Sequence, residues 1–142
     1  MEKSVIIFAV SIAYDGDCLF HVSISRPDVK ADAYFYGNAN TFKEFGKGLM
    51  LFPKDSTDIV EFQAGQNSHP AQCFLLLRAY YDSRHGHIAL KITADNNQEM
   101  ALHNRFEFSI AAEAASINEL GRMLVGWHVE DVPQIIWKAE TP

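Results

Sequence analysis

Cysteine is scarce in this chain, with two in 142 residues. Cys18 and Cys73 have no C-x-x-C spacing, so they outline neither a zinc ribbon nor a disulfide framework. Bases are also few. Twelve Lys and Arg against eighteen Asp and Glu leave a formal net charge of -6. That balance counts against nucleic acid or an anionic membrane surface as partner, since both select a basic face. No apolar run reaches the length of a membrane-spanning helix. Phosphate cradles are missing: there is no G-x-x-x-x-G-K-[ST] and no G-x-G-x-x-G opening a helix. Gly46-Lys47-Gly48 falls inside a helical segment. No G-x-S-x-G elbow presents a nucleophilic serine.

What remains is ordinary globular composition, 48% apolar and 21% charged. Halves of about 70 residues would each be marginal alone, so residues 1–142 read as one domain. Near the N-terminus, Lys3 precedes the apolar run Val5–Val10, and Ser11-Ile12-Ala13 resembles a cleavage site. The run is short, Glu2 dilutes its charged flank, and it continues as a β-like segment to Tyr14. The expectation is a cytoplasmic protein with free thiols.

A repeat organises the chain. Residues 41–52 align with residues 116–127 at an offset of 75. Thr41 and Ser116 each precede a glutamate by three residues, which predicts a capping box at the start of each helix. Phe42, Phe45, Leu49 and Phe52 fall on one helical stripe, and Ile117, Leu120, Leu124 and Trp127 fall on its counterpart. Gly46 and Gly121 occupy equivalent mid-helix positions, where glycine costs about 1 kcal/mol against alanine. A cost incurred twice predicts close backbone approach, either helix on sheet or helix on helix.

The flanks match as well. Ala31, Ala33 and Phe35 correspond to Phe106, Phe108 and Ile110, and residues 59–62 correspond to 134–137. Further upstream, Phe8 aligns with Phe74 at an offset of 66, and Val22 and Ile24 with Leu90 and Ile92 at 68. Residues 1–66 and 67–142 each hold six bases and nine acids. The prediction is two β-β-β-α-β units, approximately 5–65 and 71–140. Strands are expected over 5–14, 18–26, 31–36, 58–64, 73–81, 87–95, 105–110 and 133–138. The fold class is α+β: a bent, mostly antiparallel sheet or sheets of about eight strands, with two helices packed on it.

Candidate chemistry is thin. Arg84-His85-Gly86-His87 forms a small cluster, but two histidines are too few for a metal centre. His21, with Asp32 or Glu107, would have to complete it. The alternative is a polar hairpin turn. His69, His103 and His128 fall in loops or at a helix end and read as solvated. Cys18 and His21, three apart on a strand, point to opposite faces, and Ser109 reads as outward-facing. The pairs Asp15/Asp17, Asp55/Asp58 and Glu130/Asp131 sit in turns, without the shelter that catalytic carboxylates need. No catalytic residue, metal or cofactor is assigned. Tyr34-Phe35-Tyr36 and Tyr80-Tyr81 place some rings outward, as at an interface or beneath a covering helix.

One resemblance adds to this reading. Phe35-Tyr36-Gly37 precedes the helix bearing Phe42, Phe45 and Leu49. The hairpin Gly86-His87-Ile88-Ala89-Leu90 follows. Phe106-Glu107-Phe108-Ser109-Ile110 then leads to the helix bearing Leu120 and Leu124. From about Phe20 to Trp127 the chain resembles a group of small bacterial α+β proteins. That group includes immunity proteins for polymorphic or contact-dependent toxins, among them the partners of wall-associated toxins. Ala112-Glu113 stands where the group often carries Asp-Gln. The resemblance implies an intracellular, non-enzymatic protein that neutralises a toxin domain by binding it. Many toxins are basic nucleases, so turn acids are the expected contacts. Asp55, Asp58, Asp82, Glu130 and Asp131 are the acidic candidates, beside Arg84, His85 and His87. Homodimerisation is open to such a chain. Two other readings are a metal enzyme on a duplicated, permuted glyoxalase-like barrel and a pocket for a small apolar ligand.

Overall fold

A computed structural model describes residues 3–65 and 73–141; His69 lies outside them. Eight strands and two helices follow in the order β1 (Val5–Ile12), β2 (Cys18–Arg26), β3 (Val29–Gly37), α1 (Lys43–Met50) and β4 (Val60–Ala64). The second run is β5 (Phe74–Asp82), β6 (His87–Asp95), β7 (Arg105–Ala112), α2 (Ala114–Gly126) and β8 (Gln134–Lys138). Alternating burial drives the strands: in β2, Cys18, Phe20, Val22 and Ile24 turn inward while His21 and Ser23 do not.

The strands form two four-stranded sheets, ordered β3-β2-β1-β8 and β4-β5-β6-β7. Every pairing is antiparallel. Each half builds a three-stranded meander, and its fourth strand joins the meander of the other half. Exchanging β1–β4 with β5–β8 therefore maps one sheet order onto the other. The pairing corrects the upstream alignment. With Ala33 matched to Phe108, their partners Val22 and Ile92 correspond at an offset of 70. The next partners, Phe8 and Leu77, correspond at 69. Phe74 instead pairs with Asp95, one residue out of phase with the inward Leu75, Leu77 and Ala79. Similarity of residues matched an inward phenylalanine to one on the opposite face.

One continuous core holds the sheets and helices together. Both predicted helical stripes are buried throughout. Phe42 stands at the junction. Its ring meets Phe8 and Phe20 edge-on at 5.2 Å and stacks on Phe62 at 4.6 Å, touching both sheets.

The helices cross at the two glycines. A Cβ on Gly46 would lie 2.9 Å from the Gly121 carbonyl oxygen. A Cβ on Gly121 would lie 2.6 Å from the Gly46 carbonyl oxygen and 2.7 Å from the Met50 nitrogen. The helix pair thus exchanges backbone contact at the repeated position. It also exchanges caps. Lys43 Nζ donates to the carbonyls of Val125 and Trp127 at 2.7 and 3.0 Å. Asn118 Nδ2 donates to those of Leu49 and Phe52 at 2.8 and 2.7 Å. Each side chain donates to carbonyls at the C-terminal end of the opposite helix. Lys43 and Asn118 are themselves separated by 75.

The predicted capping boxes are not formed. Phe42 and Glu113 occupy the N-cap positions, and neither end has a side-chain cap. Thr41 Oγ1 accepts from the Asn38 amide at 2.8 Å. Ser116 lies inside α2, buried, and its hydroxyl accepts from the Glu140 amide at 3.0 Å. A turn three residues upstream takes the Thr41 hydroxyl, and a tertiary partner takes that of Ser116.

Candidate functional site

The tight turn between β5 and β6 brings three ligand-type side chains together. The amides of His85 and Gly86 donate to the Asp82 carbonyl at 3.2 and 2.9 Å, and Gly86 takes φ +69°, which favours glycine. The turn sets Asp82 directly opposite His87, on the outer side of the sheet. Asp82 Oδ1 accepts from the Arg84 amide at 3.2 Å, and Oδ2 lies 2.8 Å from His85 Nδ1. That hydrogen bond from His85 holds the Asp82 carboxyl below its usual range. The His85 and His87 rings stack at 5.6 Å. One potential ligand atom from each of Asp82, His85 and His87 lies within 4.8 Å of the others. The expected third group is His21, but His21 is elsewhere. It faces outward on the other sheet, 2.8 Å from Asp32 and stacked on Tyr34 at 4.2 Å. Asp82 was legible as the missing member, since a Gly86 turn closing a hairpin sets residue 82 against 87. Glu107 pairs with Arg105 instead.

The other predicted contacts divide between two ends of the molecule. Asp55 and Asp58 lie in the segment leading into β4, whose first residue pairs with Ala79, and so belong to the Asp82 end. Asp55 accepts from the Thr57 hydroxyl and amide at 2.6 and 2.8 Å, contacts that hold its pKa down. Asp58 accepts from the Lys54 amide at 2.9 Å. Arg84 is exposed. Glu130 and Asp131 lie at the β1–β2 end, just before Pro133, whose carbonyl accepts from the Val10 amide. Burial pushes the Cys18 thiol up, and the neighbouring charges of Glu130 and Asp17 add to the effect.

This β1–β2 end has its own character. Asp15, Asp17, Glu130 and Asp131 are all exposed there. Residues 10–20 and 127–134, which meet at this end, contain no lysine or arginine, although Lys43 donates to the Trp127 carbonyl beside it. Exposed apolar groups stand among the acids: Tyr14 and Tyr36 are 105% and 62% exposed, joined by Ile12 and Val132. Tyr36 pairs with Leu19, which pairs with Ser11, so the ring sits at the turn end of the sheet.

Sequence reasoning missed one buried charge. His103, expected as solvated, lies with Nε2 2.9 Å from Asp95 Oδ1. Arg105 Nη1 donates to Asp95 Oδ2 at 3.1 Å, and the Asn97 amide donates to Oδ1 at 2.8 Å. Burial raises the pKa of Asp95, but these three hydrogen bonds outweigh it and hold the carboxyl below its usual value. His128 is exposed; Ser109 faces outward, within 3.0 Å of the Tyr80 hydroxyl. Cys18 is buried on the face opposite His21. His21 and His87, the histidines a glyoxalase-like centre would draw on, face outward on different sheets. No helix among the described residues is long and apolar enough to cross a membrane. No protein-family model matches the chain, and no curated protein matches it in sequence.

Proposed function

We propose that the chain is a non-enzymatic binding protein, and that the β1–β2 end of its first sheet takes a basic protein domain of the toxin type. The observation carrying this reading is the exposed acidic and aromatic end, beside which Lys43 is taken up by the carbonyls of Val125 and Trp127. Asp15, Asp17, Glu130 and Asp131 share this end with exposed Tyr14 and Tyr36, and residues 10–20 and 127–134 contain no lysine or arginine. Tyrosines supply contact area at low entropic cost, and clustered acids steer a basic partner and set its orientation. Of the acids expected as contacts, Glu130 and Asp131 belong to this surface. Asp55, Asp58 and Asp82 do not.

The test begins with the gene immediately upstream. A large secreted protein with a variable C-terminal end is expected there. Its purified C-terminal domain should bind the full chain directly. Replacing the four acids by amides should slow association and flatten its salt dependence, leaving the fold intact by circular dichroism. A purified pair that does not associate, or that associates equally well without the four acids, overturns the reading.

A second proposal concerns origin: the two halves are copies of one β-β-β-α-β module. The reciprocal caps of Lys43 and Asn118 support it, because the two residues and their targets Trp127 and Phe52 stand at the offset of the repeat, while Val125 and Leu49 are one residue off it. The corresponding sheet orders support it too. Divergence is visible in the ladders. Phe8 pairs with Ile135 and its counterpart Leu77 with Phe62, which sets the fourth strands at 73, two residues from the value in the helices.

A further inference from the structure

We propose that Asp82, His85 and His87 form a binding site for a divalent transition-metal ion of the zinc type at the β5–β6 turn. The geometry is close to what an ion needs. Their ligand atoms already lie within 4.8 Å of one another. Tetrahedral ligation at about 2.0–2.2 Å requires separations of roughly 3.4 Å. The adjustment, which lengthens the 2.8 Å contact between Asp82 Oδ2 and His85 Nδ1 and draws the wider separations in, is a matter of side-chain rotation, because His85 is exposed and His87 lies at the end of the ladder. Two imidazoles and one carboxylate form a borderline donor set that favours zinc, cobalt or nickel over magnesium and calcium.

The backbone has prepared two of the three ligands. Asp82 is oriented by the Arg84 amide on one oxygen, leaving the other turned toward His85. His87 Nδ1 lies 3.3 Å from the Ile88 carbonyl. Donation there places the lone pair on Nε2, the arrangement by which a carbonyl orients a metal-bound imidazole. Gly86 supplies the positive φ in the turn that brings residue 87 back opposite 82. Three ligands leave an open position for water or for a donor from another molecule. This site is independent of the acidic end proposed for the protein partner.

The test is titration of the metal-free full chain with Zn2+, followed by calorimetry and by thermal unfolding. One equivalent should bind and raise Tm. His85→Ala and His87→Ala should each weaken binding by at least about tenfold, and Asp82→Asn should weaken it too. His128→Ala, far along the chain, should leave it unchanged. Excess Mg2+ should not compete. All four variants should keep the wild-type far-ultraviolet spectrum, since the turn and His128 are outside the core. No saturation below about 1 mM Zn2+ overturns the proposal. Equal affinity in a His85→Ala/His87→Ala double variant also overturns it.

Discussion

The two hairpin ends, β1–β2 and β5–β6, occupy corresponding places in the two sheets, yet they carry different chemistry. The first has Asp15-Gly16-Asp17 and exposed Tyr14, with Glu130 and Asp131 delivered by the segment before β8. The second has Asp82, His85 and His87, with Asp55 and Asp58 delivered by the segment before β4. Between the ends, the halves agree where the fold is decided. Glycine meets glycine at the helix crossing, and each helix is capped by the other. Agreement marks what the architecture requires. Disagreement marks where each half is free to specialise, and both proposed sites lie there.

The sheets differ inside as well. Inward positions of β3 hold Ala31 and Ala33, where β7 holds Phe106 and Phe108. The second sheet also encloses Asp95, only 6% exposed. The largest of the effects that sharpen the comparison concerns that residue. Asp95→Asn should cost about 2 kcal/mol at neutral pH, in the range for hydrogen bonds to a charged group. Because the folded pKa is depressed, the carboxylate's contribution is fully present above its unfolded value near 4 and is lost as pH falls through the folded one. Denaturant unfolding of wild type and variant should therefore show a difference that narrows below about pH 4. A difference constant from pH 7 down to 2 would mean that the charge plays no part.

Smaller effects should follow at the exchanged caps. Asn118→Ala removes two hydrogen bonds to carbonyls at the end of α1 and should cost about 1 kcal/mol. Lys43→Ala removes the corresponding pair at the end of α2 and should cost a similar amount. The comparison breaks if only one of them changes the denaturant midpoint.

Much of this was legible in the sequence, for local reasons. Alternation fixed β2 and β6 at residues 18–26 and 87–95, and the helical stripes proved to be the buried faces. The repeated glycines foretold the crossing because a mid-helix glycine has a local cost that only a tertiary contact explains. Most of the failures were tertiary, and the one at Asp82 was a local turn. Ser116 looks like a cap, but the amide of Glu140, distant in sequence, uses its hydroxyl. Phe8 and Phe74 look alike, but only pairing reveals which face each occupies. The His85–His87 pair lacked a third ligand until the turn placed Asp82 opposite His87. The β1–β2 end is assembled from segments more than a hundred residues apart, and no spacing rule brings Glu130 to Asp17.

The claim that the halves lock through direct backbone contact is tested most directly by an unfolding cycle over Gly46→Ala, Gly121→Ala and the double variant. Alanine improves helix propensity by about 1 kcal/mol, whereas overpacking costs about 1–3 kcal/mol. Backbone atoms within 3 Å of each new methyl should let the cost win, more strongly at Gly121. Each variant should be less stable than wild type, and their effects should be non-additive because they strike one contact. Gains of about 1 kcal/mol at both positions, adding independently, would contradict the crossing.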